Sequence, residues 1–383
     1  MIDVLYVMGG LGIGGTERHL SLVLPELARR GWRLEIALLA SDGPFGAPLR
    51  AAGIPITPIA NPALIPIPKL RGLQSLRGQA RALSDRLREA PPRLLHCYLP
   101  TSCIVGDWAA RQSGFGPIAM SRRSQSNRPP LFWGDKWLER RALRAADLVF
   151  GHSQRVVEEL KCEGIKPDCI KLVHNGTAIP ARPMSSDRAA ARAAEGWNDR
   201  EVVVVAVANL IPYKGHADLL RGVAHMKVGG TVNWKLVLVG DGAAEYVQSL
   251  RNLVAELGIA DRVSFAGHRS DVARLLMGAD IGVLPSHQEG FSNSLLEYMA
   301  MQLPVVATAT GGNLDAVEEG KTGFLVPVGA PEAIGLALSL LSGDAALRSR
   351  MGEAGRCKAE ADFSLSSCVA RYEEAYRNLL DRA

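Results

Sequence analysis

The chain has 383 residues, 47% of them hydrophobic and 22% charged, with a formal net charge of +5. This length points to about two domains and this composition to a globular protein, which argues against a disordered or collagen-like chain. No run approaches the roughly 18 apolar residues of a spanning helix, the six cysteines form no C-x-x-C, and no histidine pair stands at ligand spacing. Neither a transmembrane channel, a disulfide scaffold nor a zinc module is therefore expected, and the cysteine usage fits a reducing, cytoplasmic setting.

Ile2–Met8 reads as a buried strand rather than a leader, since Asp3 interrupts it and no basic segment comes before it. The segment 16–31 reads as a helix with Leu20, Val23, Leu24 and Leu27 on one face, Thr16 as its cap and Gly31 as its stop. "RLEIALLA", "RLLHCYL", "GPIAMS", "DLVFGHS" and "CIKLVHNG" follow as short strands between helical segments. Residues 177–200, rich in Pro, Ser and Ala, read as a connector with one helix. The alternation then restarts with "EVVVVAVANL", "WKLVLVGDG", "RVSFAGH", "IGVLPS", "LPVVATATGG" and "GFLVPVG", and an amphipathic helix ends the chain. Alternating strands and helices mean parallel sheets covered on both faces. The expected architecture is α/β, with two Rossmann-like domains, 1–180 and 181–365, and ligands at the carboxyl ends of the strands.

The first strand leads into "GGLGIGGTERH", in which Gly10, Gly12 and Gly15 spell G-x-G-x-x-G. A dinucleotide site also needs an acidic residue at the tip of the second strand. Glu35 has the spacing, but the apolar run continues past it through Ala40, so it belongs near the strand's start. What survives is a glycine loop and helix start, Gly14 and Gly15 included, whose N–H groups suit a phosphate.

The most specific stretch is "SHQEGFSNSLLEYMAMQLPVVATATGG", residues 286–312, with Glu289 and Glu297 eight residues apart. Ser294-x-x-Glu297 also has the form of a capping box. Here the sequence resembles the family-4 glycosyltransferases, which have the GT-B fold of two Rossmann-like domains facing across a cleft. "GGTERHL" resembles the family's first-domain glycine loop and "NLIPYKGH" its phosphate-binding segment. "LVLVGDG", "VSFAGHRSDV" and "EEGKTGFLVP" follow in the family's order, so the resemblance covers nearly the whole chain. It implies that the last helix, about 366–383, packs back on the first domain.

The resemblance implies a retaining transfer from a nucleotide-sugar donor, UDP by family frequency, to a lipid-linked or oligosaccharide acceptor in surface polysaccharide or lipopolysaccharide synthesis. It assigns Glu297 to the ribose diol and Glu289 to the donor sugar. Gly290, Phe291, Ser292 and Asn293 would offer backbone N–H groups, and His268 would lie in the base-binding loop. Lys214 would meet charge growing on the departing diphosphate. The chain departs from the pattern twice. Asn209 stands where an arginine is common, and Arg122 or Arg123 stands where a histidine is common. Arginine cannot act as a base, so Arg123 is a candidate anion binder instead. No metal or cofactor is expected.

Charge is also divided. Residues 1–180 carry +9 and residues 181–383 carry −4, with the excess concentrated in 69–93 and 122–144. The resemblance leaves no role for nucleic acid, so this asymmetry suggests peripheral contact of the first domain with an anionic membrane. The rival readings are a GT-B epimerase or phosphorylase, an NAD(P)-binding oxidoreductase, and a glycan- or lipid-binding protein without turnover.

Overall fold

The computed structural model describes residues 1–12, 14–40, 42–59, 71–123, 134–182, 184–228 and 233–382. Parts of both basic stretches, 69–70 and 124–133, lie outside the described residues. The chain divides into two compact units: Met1–Gly176 together with Leu365–Ala383, and Thr177–Ser364.

The first unit runs β1 (Val4–Met8), α1 (Gly15–Arg29), β2 (Leu34–Leu38), α2 (Gly46–Ala51), β3 (Ile56–Pro58), α3 (Arg71–Glu89), β4 (Leu94–Tyr98), α4 (Pro100–Ser113), β5 (Ile118–Arg122), α5 (Asp135–Ala145), β6 (Leu148–Gly151), α6 (Gln154–Cys162) and β7 (Ile170–Leu172). Its strands form one parallel sheet in the order β3-β2-β1-β4-β5-β6-β7. β1 and β4 are buried along their whole length because helices cover both faces. Leu5, Val7, Leu95 and Cys97 face one core; Val4, Tyr6, Met8, Leu94 and Tyr98 face the other, as the two-residue period of a strand requires.

The second unit runs α7 (Ser185–Glu195), β8 (Val202–Val207), α8 (His216–Val228), β9 (Trp234–Val239), α9 (Ala244–Glu256), β10 (Val263–Gly267), α10 (Val272–Gly278), β11 (Ile281–Leu284), α11 (Asn293–Ala300), β12 (Val305–Thr308), α12 (Asn313–Ala316), β13 (Gly323–Val326), α13 (Pro331–Gly343) and α14 (Ala345–Asp362). Its parallel sheet has the order β10-β9-β8-β11-β12-β13. Both sheets thus follow the Rossmann strand order, in which the first strand separates the second from the fourth.

The last helix, α15 (Leu365–Leu380), belongs to the first unit. Cys368, Val369, Tyr372, Ala375 and Tyr376 recur at helical spacing and join the core that holds Leu20, Val23, Leu24 and Leu27 of α1. Glu373 fastens it, accepting from Arg30 at 2.8 Å and from Trp32 Nε1 at 2.9 Å. Deeper in, the Tyr376 hydroxyl lies 3.0 Å from that of Tyr6 and 2.7 Å from His96 Nδ1, while His96 Nε2 lies 2.9 Å from Ser121 Oγ.

Two local expectations are corrected. The cap of α1 is Gly14, in extended backbone, rather than Thr16. The helix starts one residue earlier at Gly15, which carries Thr16 into the first turn, and the cap residue itself has no side chain to offer. In α11 the cap is Ser292, whose oxygen accepts from Leu295 N at 3.4 Å. Ser294 instead donates to the Val207 carbonyl at 2.6 Å, so the Ser294–Glu297 capping box does not form.

Two stability effects follow. Tyr376→Phe strips both Tyr6 and His96 of a buried partner and is expected to lower stability by about 1–3 kcal/mol, read from the urea midpoint. Burial holds His19, His96 and His152 well below the ordinary histidine pKa, so the native state keeps them neutral. The unfolded chain takes up protons near pH 6.5 and the native one does not. Stability is therefore expected to hold above that pH and to fall below it, by up to about 1.4 kcal/mol per pH unit for each histidine. Urea midpoints at pH 7.5, 6.5 and 5.5 check this.

Candidate active site

In the second unit β8 and β11 are neighbours whose connections leave to opposite faces. Leu219, Leu220 and Val223 of α8 join one core, whereas Leu295, Leu296 and Met299 of α11 join the other. The loops after the two strands therefore feed helices on opposite faces and stand side by side at the carboxyl edge, the usual ligand position in such sheets.

The loop after β8 ends in a tight turn, Pro212–Lys214, closed by Gly215 at φ +72°. A Cβ on Gly215 would drive into the Pro285 carbonyl, so only glycine brings this loop against the one after β11. The two loops are then stapled. His287 N donates to the Tyr213 carbonyl at 2.7 Å, and His287 Nε2 lies 2.6 Å from Asp218 Oδ2. Lys214 Nζ donates to Glu289 Oε2 at 2.6 Å, with the two side chains 16% and 10% exposed. The sequence singled out both residues but gave no sign that they pair. Next to them His216 is buried, and burial, followed by the Lys214 charge, pushes it down to about 4.

Phe291 anchors the β11 loop from below, packing on Phe363 with ring centroids 5.5 Å apart. The Gly290 carbonyl accepts from Gly312 N at 2.9 Å, where any side chain on Gly312 would strike Phe291. Ser292 and Asn293 open α11, and Glu297 is half-buried one turn on. The start of α11 is tied to the end of β8, because Val207 N donates to the Tyr298 hydroxyl at 2.6 Å and the Val207 carbonyl accepts from Ser294. One edge thus assembles a fixed ammonium, a carboxylate in contact with it, the N–H groups of a helix start and a second carboxylate. That set suits a phosphate-bearing ligand with hydroxyl groups.

Asn209 is exposed just past β8. His268 is exposed after β10, the edge strand, two strand positions from β8 and so about 10 Å away. The sequence reading did not place Asp218, Thr308 or Asn313. Thr308 Oγ1 donates to the Ser286 carbonyl at 2.5 Å and Asn313 Nδ2 to the Thr308 carbonyl at 3.0 Å, which braces the loop that carries Glu289. The only signal was the "TATGGN" turn after β12. Among the described residues, no group of three His, Cys, Asp or Glu is placed to hold a metal ion.

In the first unit the same edge carries Gly14 and Gly15 after β1 and Arg123 after β5. Arg122 and Arg123 have different surroundings. Arg122 is buried and held by Glu163 at 2.7 Å and Glu139 at 3.5 Å. Arg123 is half-buried and donates to Asn175 Oδ1 at 2.5 Å. Its charge helps burial keep His19, His96 and His152 neutral, and it opposes the burial that raises the Glu17 carboxyl above its usual range. Of the two arginines, Arg123 is the one open to a ligand.

Two family models match the chain: Glycosyltransferase Family 4 over residues 13–179, and Glycosyl transferases group 1 over residues 187–358. The chain is 34% identical over 185 residues to the N-acetyl-alpha-D-glucosaminyl L-malate synthase of Bacillus anthracis, covering 48% of each protein. It is 31% identical over 170 residues to the lipopolysaccharide core biosynthesis glycosyltransferase LpsE of Rhizobium meliloti, covering 44% of this chain and 48% of that one. These matches span about half the length of the curated relatives. Among solved structures, Anabaena HepE in complex with UDP is similar at a TM-score of 0.86 and 23% identity, over 99% of this chain and 100% of that one. That likeness shows the fold, two Rossmann-like units of the GT-B type. The two family matches together take in most of the sequence, and the chain belongs to the family-4, group 1 glycosyltransferases.

Proposed function

We propose that the chain is a retaining glycosyltransferase that moves a sugar from a UDP-sugar to a lipid-linked or saccharide acceptor in surface polysaccharide or lipopolysaccharide synthesis. The observation that carries this reading is the Lys214–Glu289 pair at the carboxyl ends of adjacent β8 and β11, beside the start of α11. The donor base is supported by HepE, which was solved with UDP and with UDP-glucose. The pathway is supported by the likeness to LpsE, a glycosyltransferase of lipopolysaccharide core biosynthesis.

In this reading Glu297 accepts from the ribose diol and His268 contacts the base. Lys214, Asn209 and the N–H groups of Gly290, Phe291, Ser292 and Asn293 hold the diphosphate and sugar. Glu289 keeps the ammonium in place and orients sugar hydroxyls. Gly14, Gly15 and Arg123 serve the acceptor side or the diphosphate. The bond from the anomeric carbon to the diphosphate oxygen breaks while the acceptor oxygen bonds to the same face. The acceptor's proton passes to the departing phosphate oxygen. The charge growing on that oxygen is met by Lys214 and the helix N–H groups, with no metal or cofactor. We also assign the basic stretches of the first unit to peripheral contact with the cytoplasmic face of an anionic membrane. Among the described residues no helix is long and apolar enough to cross one.

UDP at about 100 times its dissociation constant is expected to add roughly 2.7 kcal/mol of apparent stability in a thermal-shift assay, and Glu297→Ala to remove most of that gain. Stabilisation by NADH in place of every nucleoside diphosphate would overturn the reading. Lys214→Ala is expected to lower kcat about 100- to 1,000-fold in an assay of UDP release from UDP-glucose, the scale of losing one donor to a developing oxyanion. Gly215→Ala forces the two stapled loops apart and is expected to abolish the UDP-induced shift while the fold persists by circular dichroism. Flotation with phosphatidylglycerol vesicles at low salt tests the membrane contact, and a protein left wholly in the unbound fraction refutes it.

A further inference from the structure

Most arginines of the first unit are held by carboxylates. Arg33 is paired with Asp3, Arg50 with Asp42, Arg86 with Glu35, Arg111 with Asp107, and Arg122 with Glu139 and Glu163. Arg77 and Arg81, one turn apart on α3, and Arg141 on α5 make no ion pair among the described residues. All three line one groove of about 720 Å³ between α3, α4 and α5, together with Trp108, Trp137 and Gln112. No described carboxylate lines it. Asp107, whose carboxyl is influenced by Arg141, is buried and bound to Arg111 at 2.8 Å.

The groove is on the outer side of the helical layer. The inner sides of the same helices pack on the sheet through Leu76, Ala80 and Leu83 of α3, Ile104 and Ala109 of α4, and Leu143 of α5. None of Gly14, Gly15 and Arg123 lines the groove. Trp137 is 62% exposed, and the Arg141 guanidinium lies 5.9 Å from the centre of its ring. An indole exposed to this degree on a helix already rich in charge adds nothing to the core.

The chemistry of the lining limits the occupant. Three guanidinium groups around one concavity repel one another, and they favour an anion with several acceptor oxygens, which arginine grips in bidentate fashion. Indole faces offer flat apolar planes to the C–H side of a pyranose ring, with a polar edge that still tolerates water. A volume of about 720 Å³ is within the range of ligand sites. We propose that this groove is a second carbohydrate site, separate from the donor site, which binds an acidic saccharide. Its sugar rings lie on Trp108 and Trp137, and its carboxylate or phosphate groups lie on Arg77, Arg81 and Arg141. Membrane contact by the wider basic face is compatible with this, since the claim concerns the groove alone.

The test is a tryptophan-fluorescence titration of the full chain with tetragalacturonate, with mannose 6-phosphate and with neutral maltotetraose. Both acidic sugars, or either one, are expected to give a saturable change that weakens in 0.5 M salt, with maltotetraose at least tenfold weaker. The double variant Arg77→Ala/Arg141→Ala and the single variant Trp137→Ala, all at exposed positions, are each expected to weaken binding at least tenfold. Their UDP-induced thermal shift should be unchanged, which shows that the fold is intact and separates this inference from the transferase reading. Four outcomes would overturn it: no saturable change with either acidic sugar, equal affinity for maltotetraose, equal affinity for inorganic phosphate, or unchanged affinity in the variants. Sedimentation with phosphatidylglycerol vesicles that these variants abolish, without saccharide binding, would assign the groove to a bilayer.

Discussion

Parallel strands cannot be joined by hairpins. Each must be reached by a crossover, so every strand-to-helix loop of a unit emerges at the same edge of its sheet. Where the first strand has neighbours on both sides, the helices that follow it and one of those neighbours leave to opposite faces, and the loops before them stand side by side. β8 and β11 occupy that place in the second unit. Residues 75 positions apart in the sequence, Lys214 and Glu289, meet there at 2.6 Å because the sheet brings their loops together. The same constraint sets Gly14, Gly15 and Arg123 at one edge of the first sheet.

The strands were legible because burial on both faces demands unbroken apolar runs, and "VVVVAV" or "IGVL" can hardly be anything else. What the sequence did not reveal was short or long-range. β3 is a three-residue edge strand, only partly buried, with too few residues to show a period. Ser292 and Ser294 at the start of α11 both offer a cap in the sequence, and the choice falls to Ser292 because the carbonyl of Val207, a partner 87 residues away, takes the Ser294 hydroxyl. A threonine next to glycines has the form of a cap, but Gly14 adopts the extended cap conformation as readily and takes the place of Thr16. Lys214, Glu289 and Glu297 were legible as chemistry and as spacing, but their mutual geometry was not. Neither was the support from Asp218 and Thr308, whose partners are on the loop after β11, or from Asn313, which holds Thr308. The choice between Arg122 and Arg123 was open in the sequence, and it turns on alternation at a strand end: one residue points into Glu139 and Glu163, the next does not.

The first unit handles buried polar groups in two ways. Beneath α15 they are kept neutral, with His96, Tyr6 and Tyr376 sharing hydrogen bonds in a space that excludes water. Along the helices they are kept charged and matched, arginine by carboxylate. Arg123, next to the neutral set, and the three arginines of the outer groove follow neither pattern. Positive charge is thus concentrated at arginines that no carboxylate among the described residues ion-pairs. This links the overall +9 of residues 1–180 to particular surfaces rather than to a general excess.

The return of α15 to the first unit makes that unit discontinuous, with the whole second unit inserted between its two parts. During synthesis, residues 177–364 have everything they need to fold before the first unit does. Until α15 emerges from the ribosome, Tyr6, Trp32, His96 and the apolar side of α1 remain uncovered, with the partners of Arg30 and Tyr376 still unmade. The N-terminal half of this chain is therefore the last to be completed. It passes through translation with the face that α15 covers still open, although its residues are made first.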